Sequence, residues 1–429
     1  MRHIRRRQAS IALFACTATI LAAGVAACSS GSSSSTSSPN ASGPQTITFA
    51  ESGLGTEGQA TQKEINAFEA ANPNIKVNIQ VLSSDSTTYL GQLEHDFISG
   101  SSTPDVFESD VTYPAKFAQA GWVAPLTQFN VDKSQFFGAG IAAGTFNNTL
   151  YAVPWFQNPE GLFYRKDLVK TPPTSPAQVV TDAENAMKTG KVKYGLVFEA
   201  DKYEGAITSF LTVASAFGGK LNPENINTPG NVAALNFLHD AIYVNKIAPQ
   251  SVTSDQEGQV EAAFDSGYAA FSVNYPFVES QPMAASVKGN IGYTPFPPGP
   301  GGTPGSAMGG EMLAINAKTS HAAAAYKLIQ FLTSPQQEVN RAIATADPPS
   351  LPSAYTQQLL TDAPYFAQVE VLNKYAAPRP VTPNYLAVSA DLQTLFSSVY
   401  ANPASTAASS AFAAGAATIK SDFSATPGS

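Results

Sequence analysis

Apolar and polar positions along the chain set the first expectations. Thr46–Ala50 and Ile75–Leu82 alternate with the two-residue period of strands. Gln59–Ala70 places Ile65 and Phe68 on one helical face, and Tyr89–Ser99 does the same with Leu90, Leu93, Phe97 and Ile98. Asn72-Pro73-Asn74 breaks the first helix, Gly53–Gly58 reads as a loop holding Glu57, and Pro104–Glu108 reads as a short buried strand. A strand-helix-strand-helix-strand order predicts a parallel sheet with right-handed crossovers. Ligands of such sheets lie beyond the carboxyl ends of the strands, where Asp110 falls. The alternative role for Asp110 is to cap a helix starting near Thr112.

The same pattern resumes further on. A helix is predicted over Tyr113–Ala120, closed by Gly121, with Trp122–Leu126 extended after it. Lys193–Phe198 is a strand, Gly205–Phe217 and Val232–Val244 are helices, and Ala269–Val273 is a strand leading into Asn274-Tyr275-Pro276. Pro295–Gly305 has no regular period; Met312–Asn316 is a return strand and His321–Leu332 a helix. Between the two regions lies Tyr151–Leu168 (YAVPWFQNPEGLFYRKDL), where Pro154 and Pro159 force extended residues before them and hold Trp155, Phe156 and Asn158 at a defined angle. Aromatic faces beside amides and carboxylates suit a sugar, with its apolar C–H faces and its hydroxyls; a buried strand with core aromatics is the plainer alternative. Two α/β units exchanged more than once by the chain predict two lobes with a hinged cleft.

Composition narrows the class. Arg2, Arg5, Arg6 and Arg7 precede the apolar run Ile11–Val25, a secretory leader that does not belong to the fold. It ends at Val25-Ala26-Ala27-Cys28, which fits the lipobox of bacterial lipoproteins, and Ser29–Gly43 is a polar leash with nothing to pack. An ordinary signal peptide is the alternative. The other cysteine, Cys16, lies in the leader, so no disulfide, catalytic thiolate or zinc site is expected. Removing 27 leader residues from 429 leaves 402, which suits two lobes better than one core. A net charge of −8, with no Lys/Arg cluster past the leader, argues against a nucleic-acid partner.

Six segments then carry a resemblance that spans nearly the whole body: Asp105–Leu126 (DVFESDVTYPAKFAQAGWVAPL), Leu150–Leu168, Lys202–Gly205 (KYEG), Phe271–Val278 (FSVNYPFV), Gly309–Ile315 (GGEMLAI) and Pro378–Tyr385 (PRPVTPNY). In order and spacing the chain resembles the extracellular sugar-binding proteins of bacterial ABC importers, in the branch of the trehalose- and maltose-binding lipoproteins. The resemblance implies an α/β periplasmic-binding-protein-like (Venus flytrap) fold with three hinge crossings. It implies an N-lobe of 45–154 plus 311–343 and a C-lobe of 155–310 plus 344–429, after a signal peptide (1–27) and tether (28–44). Its site residues map to Asp110, Asn158, Glu204, Tyr275, Gly310 and Arg379, with Glu57, Phe156, Glu311 and Tyr385 as further contacts. Tyr275 stands where relatives have a stacking Trp, and Glu311 where some have a second Trp, so preference among sugars is expected to differ. The resemblance also implies a monomer acylated at Cys28, an ABC permease with its ATPase subunits as partner, and no cofactor.

An enzyme is the competing class. A glycoside hydrolase needs two carboxylates about 5–9.5 Å apart, and Asp110 with Glu204 is the candidate pair. No G-x-S-x-G, H-E-x-x-H or cysteine-rich metal spacing accompanies them, and His95, His239 and His321 are scattered. The expectation is therefore a binding protein for a disaccharide.

Overall fold

The computed structural model describes residues 43–424, apart from 53–54 and 84–85. The predicted leader, Cys28 and most of the serine-rich tether lie outside the described residues. The chain begins β1 (Gln45–Glu51), α1 (Gly55–Ala71), β2 (Ile75–Val81), α2 (Ser86–Ile98), β3 (Val106–Asp110) and α3 (Pro114–Gln119). It continues through α4 (Gly138–Ala143), the hairpin β4 (Thr145–Phe146) and β5 (Thr149–Leu150), then β6 (Ala152–Pro159) and β7 (Gly161–Arg165). Next come α5 (Pro176–Lys188), β8 (Tyr194–Val197), α6 (Glu204–Ala216), α7 (Pro229–Tyr243), α8 (Glu257–Asp265), β9 (Ala269–Asn274) and β10 (Ile291–Thr294). The rest is β11 (Ser306–Ile315), α9 (Ala322–Leu332), α10 (Pro335–Thr345), α11 (Gln357–Asp362), α12 (Phe366–Asn373), β12 (Ala376–Ala377), α13 (Tyr385–Tyr400) and α14 (Ala407–Ser424).

Two sheets organise these elements. The first runs β12-β11-β3-β1-β2, with β6 also paired to β11; β1 is parallel to β2 and β3, whereas β11 is antiparallel to β3. The second runs β10-β7-β9-β8, with only β8 and β9 parallel; the parallel pairing predicted for the first strands of the chain holds for β1 with β2 and β3 but not for β11. Each sheet is apolar on both faces. Phe49, Phe68, Trp155 and Leu328 fill one side of the first sheet, and Leu93, Phe107, Phe117 and Met312 the other. Phe198, Phe210, Leu238 and Phe396 cover one side of the second, and Phe163, Phe264, Phe366 and Leu372 the other.

The chain moves from the first sheet to the second at Glu160, between β6 and β7, and returns along β11. It then adds Val339 of α10, Leu359 of α11 and Leu372 of α12 to the second sheet's core. β6 contains Pro154 and Pro159, which is tolerable because β11 is its one partner strand and only a single bridge, Phe156 to Pro349, lies on its other side. Trp155 is an extra residue in that pairing: Glu311 faces Phe156, but Met312 faces Pro154. Such a bulge re-aims side chains, and Trp155 packs edge-on to Phe49, 1% exposed.

Several boundaries differ from the periodicity. α1 starts at Gly55, so Glu57 belongs to its first turn and not to a loop; a carboxylate there is favoured by the helix dipole, and polar first turns carry no apolar period. β11 starts at Ser306, six residues before its predicted start, because Gly309 and Gly310 offer no side chain to alternate. Asp110 is the last residue of β3 itself.

Candidate ligand-binding site

Arg379 is placed by its neighbours. β12 pairs in parallel with the start of β11, Ser306 beside Ala376 and Ala307 beside Ala377. Pro378 and Pro380 then fix φ on either side of the arginine. Its Nη1 lies 2.9 Å from Glu204 Oε1, and its Nη2 lies 3.3 Å from Asp110 Oδ2 and 3.4 Å from Oδ1. Asp110 ends a strand of the first sheet and Glu204 opens the helix that follows β8 of the second, so one guanidinium joins groups from both sheets. Burial opposes the charge on Arg379, but Asp110 and Glu204 outweigh it and hold its pKa well above the usual arginine range. Its Nε, on a residue 8% exposed, has no partner among the described residues.

Both carboxylates are held from a second side. The Thr112 backbone N–H and hydroxyl donate to Asp110 Oδ1 at 2.8 and 2.5 Å. Asp110 thus closes the turn before α3 and faces Arg379 at once; the N-cap of α3 is Tyr113, so the carboxylate secures the turn and does not cap the helix. Glu204 accepts from the Tyr385 hydroxyl at Oε1 and from the Ser389 hydroxyl at Oε2, the latter at 2.5 Å. Tyr385 and Ser389 are four residues apart on α13, on one helical face. Tyr385 is 3% exposed, so it positions Glu204 from within the packed body.

The β6–β11 ladder brings in the rest. Gly309 faces Asn158, Gly310 faces Gln157, and Glu311 sits between Phe156 on one side and Asp110 on the other. A Cβ on Gly309 would lie 3.1 Å from Cε1 of Tyr275, so the tyrosine ring that follows β9 rests against this strand beside Asn158. Gly310 has φ +110°, and a Cβ there would lie 2.3 Å from the Phe156 carbonyl oxygen; both facts require glycine. Asn158 Oδ1 has no partner among the described residues. Phe156 is 7% exposed and its ring belongs to the first sheet's core, packed beside Trp155.

Carboxylates crowd the ends of the first sheet. Glu311 is half-buried, and burial raises its pKa well above the usual carboxylate value; Glu108, Asp110 and Glu57 add to the rise while Arg379 opposes it. Burial likewise raises Glu57, with Asp347 adding to it, and Glu108, despite the Ser52 N–H donating to Glu108 Oε2 at 2.7 Å. A second arginine, Arg341 of α10, lies 2.8 Å from Asp347 and 3.4 Å from Glu64, with its guanidinium carbon 3.8 Å from the centre of the Trp155 ring. Sequence reasoning missed Arg341, Ser389, Glu108 and Glu64. For Ser389 a signal existed, its four-residue spacing from Tyr385; for Arg341 none did. Among the described residues no group of three or more His, Cys, Asp or Glu side chains is arranged to hold a metal ion, and no helix is long and apolar enough to cross a membrane.

This arrangement, two α/β units with polar forks converging from both, coincides with a family match: residues 52–339 fit the model of the bacterial extracellular solute-binding proteins. The chain belongs to that family. Among curated relatives, this solute-binding protein is 28% identical over 354 residues to a probable ABC transporter-binding protein of Deinococcus radiodurans, covering 79% of this chain and 84% of that one. It is 25% identical over 242 residues to the maltotriose-binding protein of Pyrococcus abyssi, covering 54% and 51%. Among solved structures, maltose-bound T. maritima MalE3 superposes with a TM-score of 0.74 at 31% identity, covering 86% of this chain and 98% of that one. The fold is that of the periplasmic binding proteins, as the sequence resemblance implies.

Proposed function

We propose that this solute-binding protein is the capture subunit of an ABC importer, taking a disaccharide into the cleft and delivering it to a membrane permease with its ATPase partner. Trehalose is the first expectation and a maltose-like sugar the second. The observation that carries the reading is the convergence of Asp110, Glu204 and Arg379, planar groups from both sheets whose geometry matches pairs of hydroxyls. Asn158, Glu57, Glu311 and the backbone at Gly310 supply further polar contacts, and Tyr275 supplies a ring face, with Phe156 behind. Relatives named for maltose and maltotriose support the class.

In this reading the lobes are 45–154 with 311–343 and 155–310 with 344–429, and sugar bound to one is closed upon by the other. The protein acts as a monomer outside the cell, anchored through acylated Cys28. It performs no catalysis: the guanidinium of Arg379 lies between Asp110 and Glu204, where a hydrolase would need the scissile bond. Calorimetric titration with trehalose, maltose and maltotriose tests the function; no heat and no thermal stabilisation with any of them overturns it. Turnover of those sugars by the purified protein would favour the hydrolase. Release of a Cys28→Ala variant from the membrane fraction tests the anchor.

A further inference from the structure

Glu160, the residue between β6 and β7, is 0% exposed and lies outside the group of site residues described above. Three hydroxyls of α6 converge on its carboxyl group. Thr208 and Ser209 lie 3.4 and 3.3 Å from Oε1, and Thr212 lies 2.5 Å from Oε2. Thr208 and Thr212 follow Glu204 in four-residue steps along one face of that helix, so the grip on them fixes which way Glu204 points. A second path leaves from the same residue. The Glu160 N–H donates to the Ala307 carbonyl oxygen at 2.8 Å, and the Ala307 N–H donates to the Thr212 hydroxyl at 3.0 Å. Ala307 of β11 pairs with Ala377 of β12, two residues before Arg379. Glu160 therefore stands behind both ends of the Arg379–Glu204 ion pair.

We propose that Glu160 is a positioning residue of the ligand site: its carboxyl group fastens α6 to the start of β11 and so sets the Arg379–Glu204 pair where the hydroxyls of a sugar meet it. The inference rests on the sugar-binding reading above and deepens it. The hydrogen bonds call for the protonated acid. Thr212 accepts from Ala307, so its own hydrogen goes to Oε2, which stays an acceptor. Thr208 has another acceptor, the Gly205 carbonyl oxygen at 3.1 Å, which leaves its oxygen open to a proton carried on Oε1. Burial agrees, pushing the Glu160 carboxyl up to about 8; the three hydroxyls oppose the rise and Glu257 adds to it. Glutamine, with an N–H where the acid carries its proton, fills the same place. Alanine leaves the three hydroxyls without their common partner.

The test compares the parent with Glu160→Ala and Glu160→Gln in the full chain. A double-mutant cycle of Arg379→Met and Glu204→Gln, read by urea denaturation, measures the coupling of those two residues with no ligand present. In the Glu160→Ala background the coupling should fall below about half its parental value, whereas Glu160→Gln should keep it. A purely structural role would lower the denaturation midpoint and leave the coupling unchanged. Calorimetric titration with trehalose, maltose and maltotriose supplies a second readout. Whichever of them the parent binds should bind Glu160→Ala at least about tenfold more weakly, and Glu160→Gln within about threefold of the parent. If Glu160→Ala fails to fold, Thr212→Val takes its place, since it removes the hydroxyl shared by both paths. Unchanged coupling, or parental sugar affinity in Glu160→Ala, overturns the inference. No binding of any of the three sugars by the parent overturns the sugar reading instead, and the cycle still decides the role of Glu160.

Discussion

Arg379 donates from Nη1 to Glu204 Oε1 at 2.9 Å, joining the segment between β12 and α13 to the first turn of α6. With Nη2 turned to Asp110, the same side chain couples groups that belong to different sheets. Truncating one member of a buried, hydrogen-bonded charge pair strands the other. Arg379→Ala should therefore cost ligand affinity on the order of 2–5 kcal/mol, and Asp110→Ala a similar amount, with the circular dichroism spectrum unchanged. Titration of both variants with the sugars that bind the parent measures this. Normal affinity in both would show that the site lies elsewhere.

Arg341 has a different task. It is 3% exposed, paired with Asp347 and Glu64, and flat against Trp155. Removing it leaves two buried carboxylates without their cation and uncovers an indole face. Arg341→Ala should destabilise the fold by about 3–5 kcal/mol in urea denaturation. Arg341→Lys should recover only part of that, since an ammonium cannot reach both carboxylates and stack on the ring.

Gly310 tests the ladder beneath the site. At φ +110°, with the Phe156 carbonyl oxygen 2.3 Å from any Cβ, Gly310→Ala must shift β11 against β6. The expected cost is on the order of 1–3 kcal/mol of stability, read as a lower denaturation midpoint. Ligand affinity should fall with it, because Glu311 and Asn158 ride on the same two strands. Gly91→Ala, where a Cβ meets nothing within 4 Å, is the control.

Glu338 makes stability depend on pH. Buried beside Ser350 and Leu351, its carboxyl is pushed by burial from the ordinary 4.5 up to about 8. A proton on Glu338 also frees the Ser350 hydroxyl to donate to the Pro154 carbonyl oxygen at 3.2 Å. The folded chain thus keeps a proton that the unfolded chain releases. This contribution is complete below the unfolded pKa and is lost as pH rises from about 4.5 to about 8. Thermal melts across that range should show a decline that Glu338→Gln flattens, since the amide mimics the protonated acid. An equally steep decline in the variant would assign the effect to other groups.

Much of the fold is legible in the chain. The alternation in Thr46–Ala50 and Ile75–Leu82 predicted β1 and β2, and both form in parallel as expected, since a strand with one polar and one apolar set can be satisfied by few pairings. Reading weakened where pattern is absent. The glycines of early β11 have no side chain to alternate, and the second sheet's antiparallel pairs depend on which strand the chain returns to, not on local composition. Of the site, Asp110 was expected from its strand end and, together with Glu204 and Arg379, from the family resemblance, and the structure brings the three into contact. Glu57 and Glu311 were expected as contacts of one site, but Glu108 beside them was not, because it meets Glu311 only through the pairing of β3 with β11.

By itself, then, the sequence determined the local elements, the segments stiffened by proline and the chemical types available for a site, all properties of neighbouring residues. Tertiary structure alone decided which charges come together, that Arg341 lies buried against Trp155, and which protons are held. Those outcomes follow from burial and from distances between groups hundreds of residues apart, and Coulomb energies are set by such distances and not by order along the chain.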